Sequence, residues 1–484
     1  MVTPFRRTLV SLTLCASVSV ATPAHAFLDQ LVKQVSELGA TNQNAASSGE
    51  GKQEAVKDLL SNLELGEQLR QKRQFAESRD AWYVADEYVR AWEDEVKNSP
   101  EKVLQALGEG LGSLLINDTL RRYDGSDYER VALATRLALG HLALGDWEKA
   151  RTEIRKMHER EAIIAEFRAK EVEALQAERA EKQVDNKEIK DLNGYPVETL
   201  DSPEITALRN SYQSAFGHYL AGFIYEQTGE SSLAAAGYRQ AIELRPDVPM
   251  LQEALAGLDK RIGKVSAKTT DTLLILEAGQ IPKKTSTTIP LPVPTHNGLV
   301  IVPTSFPSMP APVANPMPTA VSINGKPVAV AVVTSYDSMA RRELKDSMPG
   351  VITRGMIRSL AKGLINSEVQ KHAGIFGSIV STILTTATEQ ADTRMWGSLP
   401  SHVALVRTAL EPGRHTLEMG GVTSEFEVMG AHSLVALRLN NPGDLLVSAA
   451  TTPKIELAQA TIQEAPATPV KKGTKKPLTK EKTK

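Results

Sequence analysis

The chain has 484 residues, a formal net charge of −2, 41% apolar residues and 24% charged residues. A chain of this length exceeds what one hydrophobic core usually supports, so we expect two or three domains. The near-neutral charge excludes a general affinity for nucleic acid, because such binding depends on a broad positive surface. The single cysteine, Cys15, excludes a disulfide within the chain.

Residues 1–26 have the pattern of a cleaved signal peptide. Two arginines at 6–7 precede the apolar stretch 9–20, and residues 24–26 read Ala-His-Ala, the small-x-small form of a signal-peptidase site. A lipoprotein anchored through Cys15 is the alternative, but the residue before this cysteine is leucine rather than a small residue. The sequence therefore predicts a secreted periplasmic protein. Lipidation at Cys15 would instead associate it with the outer membrane.

Residues 27–54 are predicted to form a short helix and a flexible linker. The stretch 27–38, FLDQLVKQVSEL, has apolar residues at helical spacing. The stretch 41–53 is rich in Asn, Ser, Gly and Ala, a composition typical of flexible linkers. We therefore expect the first folded domain to begin after residue 54.

Residues 55–264 are predicted to form an irregular, tetratricopeptide-like helical domain. Its clearest repeat lies at 218–246, with small residues at the positions where the two antiparallel helices of such a repeat cross. The matching residues are Gly222, Tyr225, Ala234, Tyr238, Ala241 and Pro246. A pair of this kind cannot bury its apolar face alone, so further helix pairs must pack against it.

Two degenerate copies precede this repeat at unequal intervals, which indicates inserted helices between the copies. One copy consists of Gly66, Ser78, Trp82 and Ala85, and the other of Ala138, Ala150 and Ile154. From 148 to 190 the chain is heavily charged, and Glu161, Arg168 and Glu171 interrupt a thin apolar stripe. This extension is predicted to be a projecting helical hairpin with a solvated face.

The segment 117–131 concentrates arginine and tyrosine side chains between two of the copies. Its candidate partner-binding residues are Arg121, Arg122, Tyr123, Tyr128 and Arg130. Aromatic and arginine side chains dominate binding hot spots, which supports a ligand-facing patch. The alternative is a structural role, because residues 126–129 form a capping box that begins the helix carrying Ala138.

Residues 265–440 are predicted to form a β-rich, sandwich-like domain. The predicted strands are 272–276, 298–302, 320–323, 328–334, 402–408, 415–419, 424–429 and 434–439. The dipeptide Asn324-Gly325 predicts a hairpin. Ten prolines between 282 and 318 predict edge strands, since an edge position does not need its N–H group for a ladder.

A helical insertion at 338–390 interrupts these strands. Its residues 373–388 contain no charged side chain, yet they are too few to span a bilayer, which takes about 20 residues. We expect a helix buried against the sheet, with insertion into a membrane or a partner as the alternative. The motif 391–400 follows, and its Trp396 is predicted either to clamp the helix-to-sheet junction or to form an exposed recognition site.

Residues 441–484 are predicted to be a disordered, lysine-rich tail. The last fourteen residues contain seven lysines and no aromatic residue. Such a tail would contact anionic lipid, lipopolysaccharide or wall polymer weakly, through attraction that salt screens.

Three stretches together resemble an uncharacterised family of secreted Gram-negative envelope proteins. They are residues 123–131, residues 211–230 and residues 391–400, the last reading ADTRMWGSLP. The resemblance covers most of the chain from Ala55 to Leu439 and implies tetratricopeptide-like repeats followed by a C-terminal β-domain. It also implies a role in cell-envelope assembly, often as an outer-membrane lipoprotein, a form from which this leader departs. It implies no catalytic residues.

The sequence favours an α+β scaffold or adaptor that holds a protein partner of the cell envelope. It shows no recognisable catalytic, cofactor-binding or metal-ligand pattern. The alternative is an envelope hydrolase or transferase whose site is assembled from distant residues. The identity of the partner does not follow from the sequence.

Overall fold

The computed structural model describes residues 58–101, 103–104, 122–182, 188–262, 266, 268–295, 298–312, 314, 316–318, 320–359, 390–439 and 445–451. The predicted leader, the short helix with its linker, the apolar stretch 373–388 and the lysines of the tail lie outside the described residues. The fold is mixed α/β, with helices in the N-terminal half and several sheets in the C-terminal half.

Nine helices are described in the N-terminal half. They are α1 Leu59–Gln71, α2 Phe75–Asn98, α3 Asp127–Ala143, α4 Trp147–Lys182, α5 Pro203–Thr206, α6 Ala215–Gln227, α7 Ser231–Leu244, α8 Pro249–Ala256 and α9 Leu258–Arg261. Two 3₁₀ helices, Ile189–Asp191 and Val197–Leu200, lie between α4 and α5. A further helix, α10, covers 336–359 in the C-terminal half, where the helical insertion is predicted.

The pairs α1–α2 and α6–α7 use the same contact between a glycine and an aromatic ring. A Cβ atom at Gly66 would lie 2.2 Å from Nε1 of Trp82, and one at Gly222 would lie 2.6 Å from Cδ1 of Tyr238. Any larger residue would overlap the ring, so glycine sets how closely each helix pair packs. The other residues assigned to repeat packing are also buried: Ala150, Tyr225, Ala234 and Ala241.

Helix α4 is one continuous helix of 36 residues, in place of the projecting hairpin predicted for 148–190. The first part of its apolar stripe is buried, with Ile154, Met157, Ile164 and Phe167, whereas Val172 further along is 56% exposed. Beyond the stripe its charged residues find partners on α10, and Nε of Arg179 donates to Oγ1 of Thr353 at 2.8 Å. These contacts hold the far half of the helix against the rest of the molecule.

The described strands form three sheets. They are β1 Thr270–Ala278, β2 Thr285–Thr295, β3 Gly298–Ser308, β4 Val321–Ile323, β5 Lys326–Pro327, β6 Ala331–Ser335, β7 His402–Leu410, β8 Gly413–Met419, β9 Val422–Val428, β10 His432–Leu439 and β11 Leu445–Thr451. The five-stranded sheet has the order β11-β10-β1-β7-β6, the four-stranded sheet has the order β5-β4-β8-β9, and β2 pairs with β3. Strand β1 runs parallel to β10 and antiparallel to β7.

Strand β1 is buried on both faces, which explains its uninterrupted apolar run. Leu273 and Ile275 belong to the core that the sheet shares with the helices. Leu274 and Leu276 belong to a second core, shared with the four-stranded sheet. The five-stranded sheet therefore lies between the helices and the four-stranded sheet.

Two local predictions for the strands can be compared with the structure. Asn324 and Gly325 adopt positive φ angles of 51° and 73° in the turn between β4 and β5, as a tight hairpin requires. In the β2–β3 ribbon, prolines occupy alternate positions at 290, 292 and 294, so the missing N–H groups all belong to one edge. The tail prediction was wrong at its start, because β11 forms within 441–484 and pairs with β10.

Five buried charged residues join the helices to the five-stranded sheet, which we call the central sheet. We refer to these residues as the interface charge network. They are Glu67 and Arg70 of α1, Arg136 of α3, Glu277 of β1 and Arg438 of β10. Arg70 lies 2.9 Å from Glu277, Arg438 lies 2.7 Å from Glu67, and Arg136 also pairs with Glu277. Burial would raise the pKa of Glu277, but the charges of the three arginines outweigh it and lower the pKa to about 2.

We expect Gly222→Ala to lower the thermal midpoint, because its new methyl group overlaps the ring of Tyr238. Overpacking of this kind costs about 1–3 kcal/mol. Gly140→Ala is the matched control, since a Cβ there lies 3.8 Å from the nearest atom, in ordinary contact, within a buried helix. Thermal unfolding of both variants checks the prediction, and an equal midpoint for both would contradict the crossing geometry.

We expect Glu277→Gln to lower the free energy of unfolding by about 3–5 kcal/mol at pH 7, because it leaves buried arginines unpaired. Since the folded pKa of Glu277 is depressed, its stabilisation is present above about pH 4.3, the usual value for glutamate, and is lost toward pH 2. The difference between wild type and variant should therefore shrink over that range in urea unfolding. The control replaces the exposed Glu425 by Gln, which should leave the free energy of unfolding unchanged at pH 7 and at low pH.

Candidate functional site

Two segments that the sequence singles out, 122–130 and 391–400, lie against each other. The backbone N–H of Trp396 donates to Oε1 of Glu129 at 2.6 Å. The ring of Trp396 meets that of Trp82 edge to face, with the ring centroids 6.4 Å apart. The two motifs therefore form the junction between the helices and the sheets.

Glu129 is the acceptor around which this junction is arranged. Its Oε2 accepts from the backbone N–H of Ser126 at 2.9 Å, which is one half of the predicted capping box, and from the hydroxyl of Tyr123. Its Oε1 also accepts from the hydroxyl of Tyr128 at 3.1 Å. Burial, together with the negative charge of Glu129, raises the pKa of Tyr123 well above its usual range, so the phenol stays protonated and donates.

The structure divides the candidate partner-binding residues into two groups. The buried members are Tyr128, Arg130 and Trp396. These three contact side chains of this chain, as the structural interpretation of both motifs predicts. Arg122 and Tyr123 retain exposed surface, and Arg121 lies outside the described residues.

A cleft of about 1020 Å³ opens beside this junction. Its walls come from the end of α2, the segment 122–126, helices α4 and α10, and the motif 391–400. Among its lining residues are Trp92, Tyr123, Phe167, Arg168, Glu343 and Arg394. A volume of this size accommodates a drug-sized ligand or a short segment of polypeptide.

Aromatic rings and guanidinium groups alternate along the wall of the cleft. The guanidinium carbon of Arg130 lies 3.6 Å from the ring centroid of Trp92, and Trp92 meets Phe167 edge to face at 5.4 Å. The guanidinium carbon of Arg394 lies 5.2 Å from the ring centroid of Tyr123. Trp92, Phe167 and Arg130 are themselves buried, so they pack the wall, whereas Tyr123 and Arg394 keep part of their surface exposed.

Two carboxylates share Arg168, and we call this group the base of the cleft: Arg168 and Glu343 line the cleft, whereas Asp127 is buried and does not line it. Asp127 accepts from Nε of Arg168 and from Arg130, each at 2.6 Å, whereas Glu343 accepts from Arg168 at 3.1 Å. Burial would raise the pKa of Asp127, but the charges of Arg168 and Arg130 outweigh it and lower the pKa. Burial raises the pKa of Glu343, and the charge of Asp127 adds to that rise. Asp127 is thus the fixed counter-ion, and Glu343 is the more readily protonated of the two.

Several lining residues of the C-terminal half escaped the sequence analysis, among them Lys284, Glu343 and Arg354. No spacing in the sequence relates them to the segment 122–126, since the fold alone brings them together. The sequence does contain one indication of these contacts, namely the charged residues that interrupt the apolar stripe of α4. Arg168, one of those residues, pairs with Glu343 across the cleft base.

Comparisons with known proteins give no relative from which a function follows. No protein-family model matches this chain, and no curated protein matches it significantly. Among the described residues, no helix is both long and apolar enough to cross a membrane. The same part of the chain contains no cluster of three His, Cys, Asp or Glu side chains suited to a metal ion.

We expect Trp396→Ala to lower the free energy of unfolding by about 3–5 kcal/mol, because it removes a fully buried indole from the junction. Arg394→Ala in the same motif should cost less than about 1 kcal/mol, since its ion pair with Asp392 is partly exposed. Urea unfolding of both variants measures the contrast. Equal losses would mean that Arg394 is as much a part of the junction as the tryptophan.

Proposed function

We propose that this protein is a scaffold or adaptor of cell-envelope assembly whose cleft binds a segment of a protein partner. The observation that carries the proposal is the cleft itself, whose lining includes the partly exposed side chains of Arg122, Tyr123 and Arg394. Arginine and aromatic side chains supply most of the energy in protein interfaces. An extended or helical segment of a partner would pack against Tyr123 while its polar groups pair with the rim charges.

The proposal includes a tetratricopeptide-like repeat type for the helices and a β-sandwich-like arrangement for the sheets. In support, the pairs Gly66–Trp82 and Gly222–Tyr238 repeat one contact at the same separation along the chain. A shared apolar core between the five-stranded and four-stranded sheets supports the sandwich-like arrangement. Kinship with the secreted Gram-negative envelope family that the sequence resembles belongs to the same proposal.

The first helix of each pair is already covered by the rest of the chain, which leaves the cleft as a surface for a partner. The first helices of the repeat pairs, α1, α3 and α6, face the central sheet. Arg70 of α1 and Arg136 of α3 pair with Glu277, and Glu226 of α6 pairs with Arg407 of β7 at 2.7 Å. These faces are filled by the chain itself, so a partner must use another surface, and the cleft supplies it.

The proposed location is the periplasm, with association to the outer membrane. This part of the proposal rests on the leader 1–26 and on the lysine-rich end of the chain, which would touch anionic lipid, lipopolysaccharide or wall polymer weakly. The proposed partner is an envelope protein, and nucleic acid is not among the proposed partners.

The test is photo-crosslinking in cells, with a photoreactive amino acid at Ser347 in the cleft wall. We expect one protein partner to be captured from this position. The matched control places the same amino acid at Met429, which is 50% exposed on the connection between β9 and β10. A second variant, Ser347→Trp, narrows the cleft and should abolish capture from Asn98, which lines the cleft at the end of α2, without lowering the thermal midpoint.

Three results would contradict the adaptor. They are equal capture from Met429, capture from Asn98 that survives Ser347→Trp, and capture of glycan or peptide fragments in place of a protein. The last result would favour the alternative, an envelope hydrolase or transferase that uses Glu343 in the cleft.

A further inference from the structure

The ribbon formed by β2 and β3 has one buried face and one exposed apolar face. The buried face consists of Ile289, Leu291, Val302, Thr304 and Phe306. On the opposite face Pro290 and Pro292 are exposed, Ile301 is 56% exposed and Pro303 is half-buried. The cross-strand pairs Pro290–Pro303 and Pro292–Ile301 place these four residues next to one another, and we call them the ribbon face.

The ribbon cannot turn this face inward, because its other face is anchored to the rest of the molecule. Oγ1 of Thr304 lies 2.7 Å from Oγ of Ser359 on α10. A Cβ atom at Gly355 of the same helix would lie 3.1 Å from the ring of Phe306. The ribbon face therefore stays exposed in the folded chain, and an apolar surface of this kind indicates a contact with another molecule.

Proline closes both edges of the ribbon against a further strand. In an antiparallel pair, opposite residues alternate between pairs that exchange backbone hydrogen bonds and pairs whose N–H and C=O groups point outward. Pro290 and Pro303 lie opposite each other and have no N–H group, so theirs is an outward pair. By the same alternation, Pro292 and Pro294 remove outward donors from β2, and Pro307 removes one from β3. A strand of a partner, or of a second copy, finds no regular ladder on either edge.

The same pattern suits a surface from which water is withdrawn. An N–H group without a partner is costly in an apolar medium. The outward positions in the half of the ribbon that carries the ribbon face are 290, 292, 294, 299, 301 and 303, and four of these six are proline. This half therefore has few donors that lose water when the face is covered.

The charge pattern favours lipid over protein as the occupant. No Asp, Glu, Lys or Arg occurs between Lys284 and Lys326, although 24% of the chain is charged. A protein partner usually contacts a polar rim around the apolar centre of an interface. A lipid surface instead penalises charged groups that enter it. The ribbon thus has the composition that contact with a bilayer requires.

The backbone limits the depth of this contact. At the outward positions the C=O groups also point away from the other strand, so they need water or another donor. They lie in the plane of the ribbon, and a ribbon that lies flat on a bilayer keeps them at the level of the headgroups. Only the side chains of the ribbon face then reach the boundary of the acyl chains.

We propose that the ribbon face docks on a lipid bilayer and places its apolar side chains at the boundary between headgroups and acyl chains. This surface is separate from the cleft, and the inference rests on the proposed location only for the identity of the membrane. The contact predicted for the lysine-rich tail is electrostatic and is screened by salt, whereas an apolar contact persists at high salt.

The test measures the depth of a nitroxide spin label on Ile301→Cys, in the full chain carrying Cys15→Ser. Depth is read from the accessibility of the label to oxygen and to a water-soluble nickel chelate. Phosphatidylcholine vesicles at high salt are the probe, because they have no net charge for the tail to contact. We expect accessibility to the nickel chelate to fall several-fold when vesicles are added. A label on Met429→Cys, a position that is 50% exposed between β9 and β10, is the matched control and should stay in water.

A second pair of variants tests the ribbon face itself. Pro292→Glu places a carboxylate opposite position 301 and should return the label there to water. Thr423→Glu adds the same charge at an exposed position on β9 and should leave the label in lipid. Circular dichroism of each variant checks that the fold is retained.

Four results would overturn the proposal. They are a label at 301 that stays in water with vesicles, a depth that does not respond to Pro292→Glu, entry of the labels at 301 and 429 alike, and protection that grows with protein concentration without vesicles. The third result would indicate general adsorption, and the fourth would make a second copy the occupant. Crosslinking from the cleft decides the adaptor proposal alone, so the two proposals can fail separately.

Discussion

The ion pairs of the interface charge network fix the helices to the central sheet. Three guanidinium groups and two carboxylates have left water there, and each is strongly destabilising unless its partners are in place. The partners come from α1, α3, β1 and β10, so the network is complete only when both halves of the chain have come together. The helices and the sheet also share one apolar core, so neither half has a finished interior without the other.

This coupling determines where a binding surface remains. The faces of α1, α3 and α6 toward the central sheet are not available to a partner, because they hold the network and the contacts of α6 with β7. The cleft lies where α2 and α4 meet α10. Its base is an ion-pair system of its own, since Arg168 joins Asp127 of α3 to Glu343 of α10. The cleft thus depends on the same docking of the two halves as the core.

Much of the local structure follows from the sequence because its causes are local. The glycine positions at 66 and 222 could be predicted from the repeat pattern, and the structure places an aromatic ring against each. The hairpin at Asn324-Gly325 could be predicted because few residues accept positive φ angles. The burial of β1 on both faces is visible as an apolar run without alternation.

The remainder depends on contacts between distant residues. The charged extension reads as a solvated hairpin because its arginines have no visible partner in the sequence, yet Arg168 and Arg179 pair with residues of α10. Strand β11 lies within the segment that was predicted to be a disordered tail, because the end of that segment is rich in lysine. Its pairing with β10 shows that it is a strand. The same reasoning applies to the cleft. Tyr123 was predicted to be either a recognition residue or a structural one, and it has both features, because its hydroxyl donates to Glu129 at the junction while the residue lines the cleft.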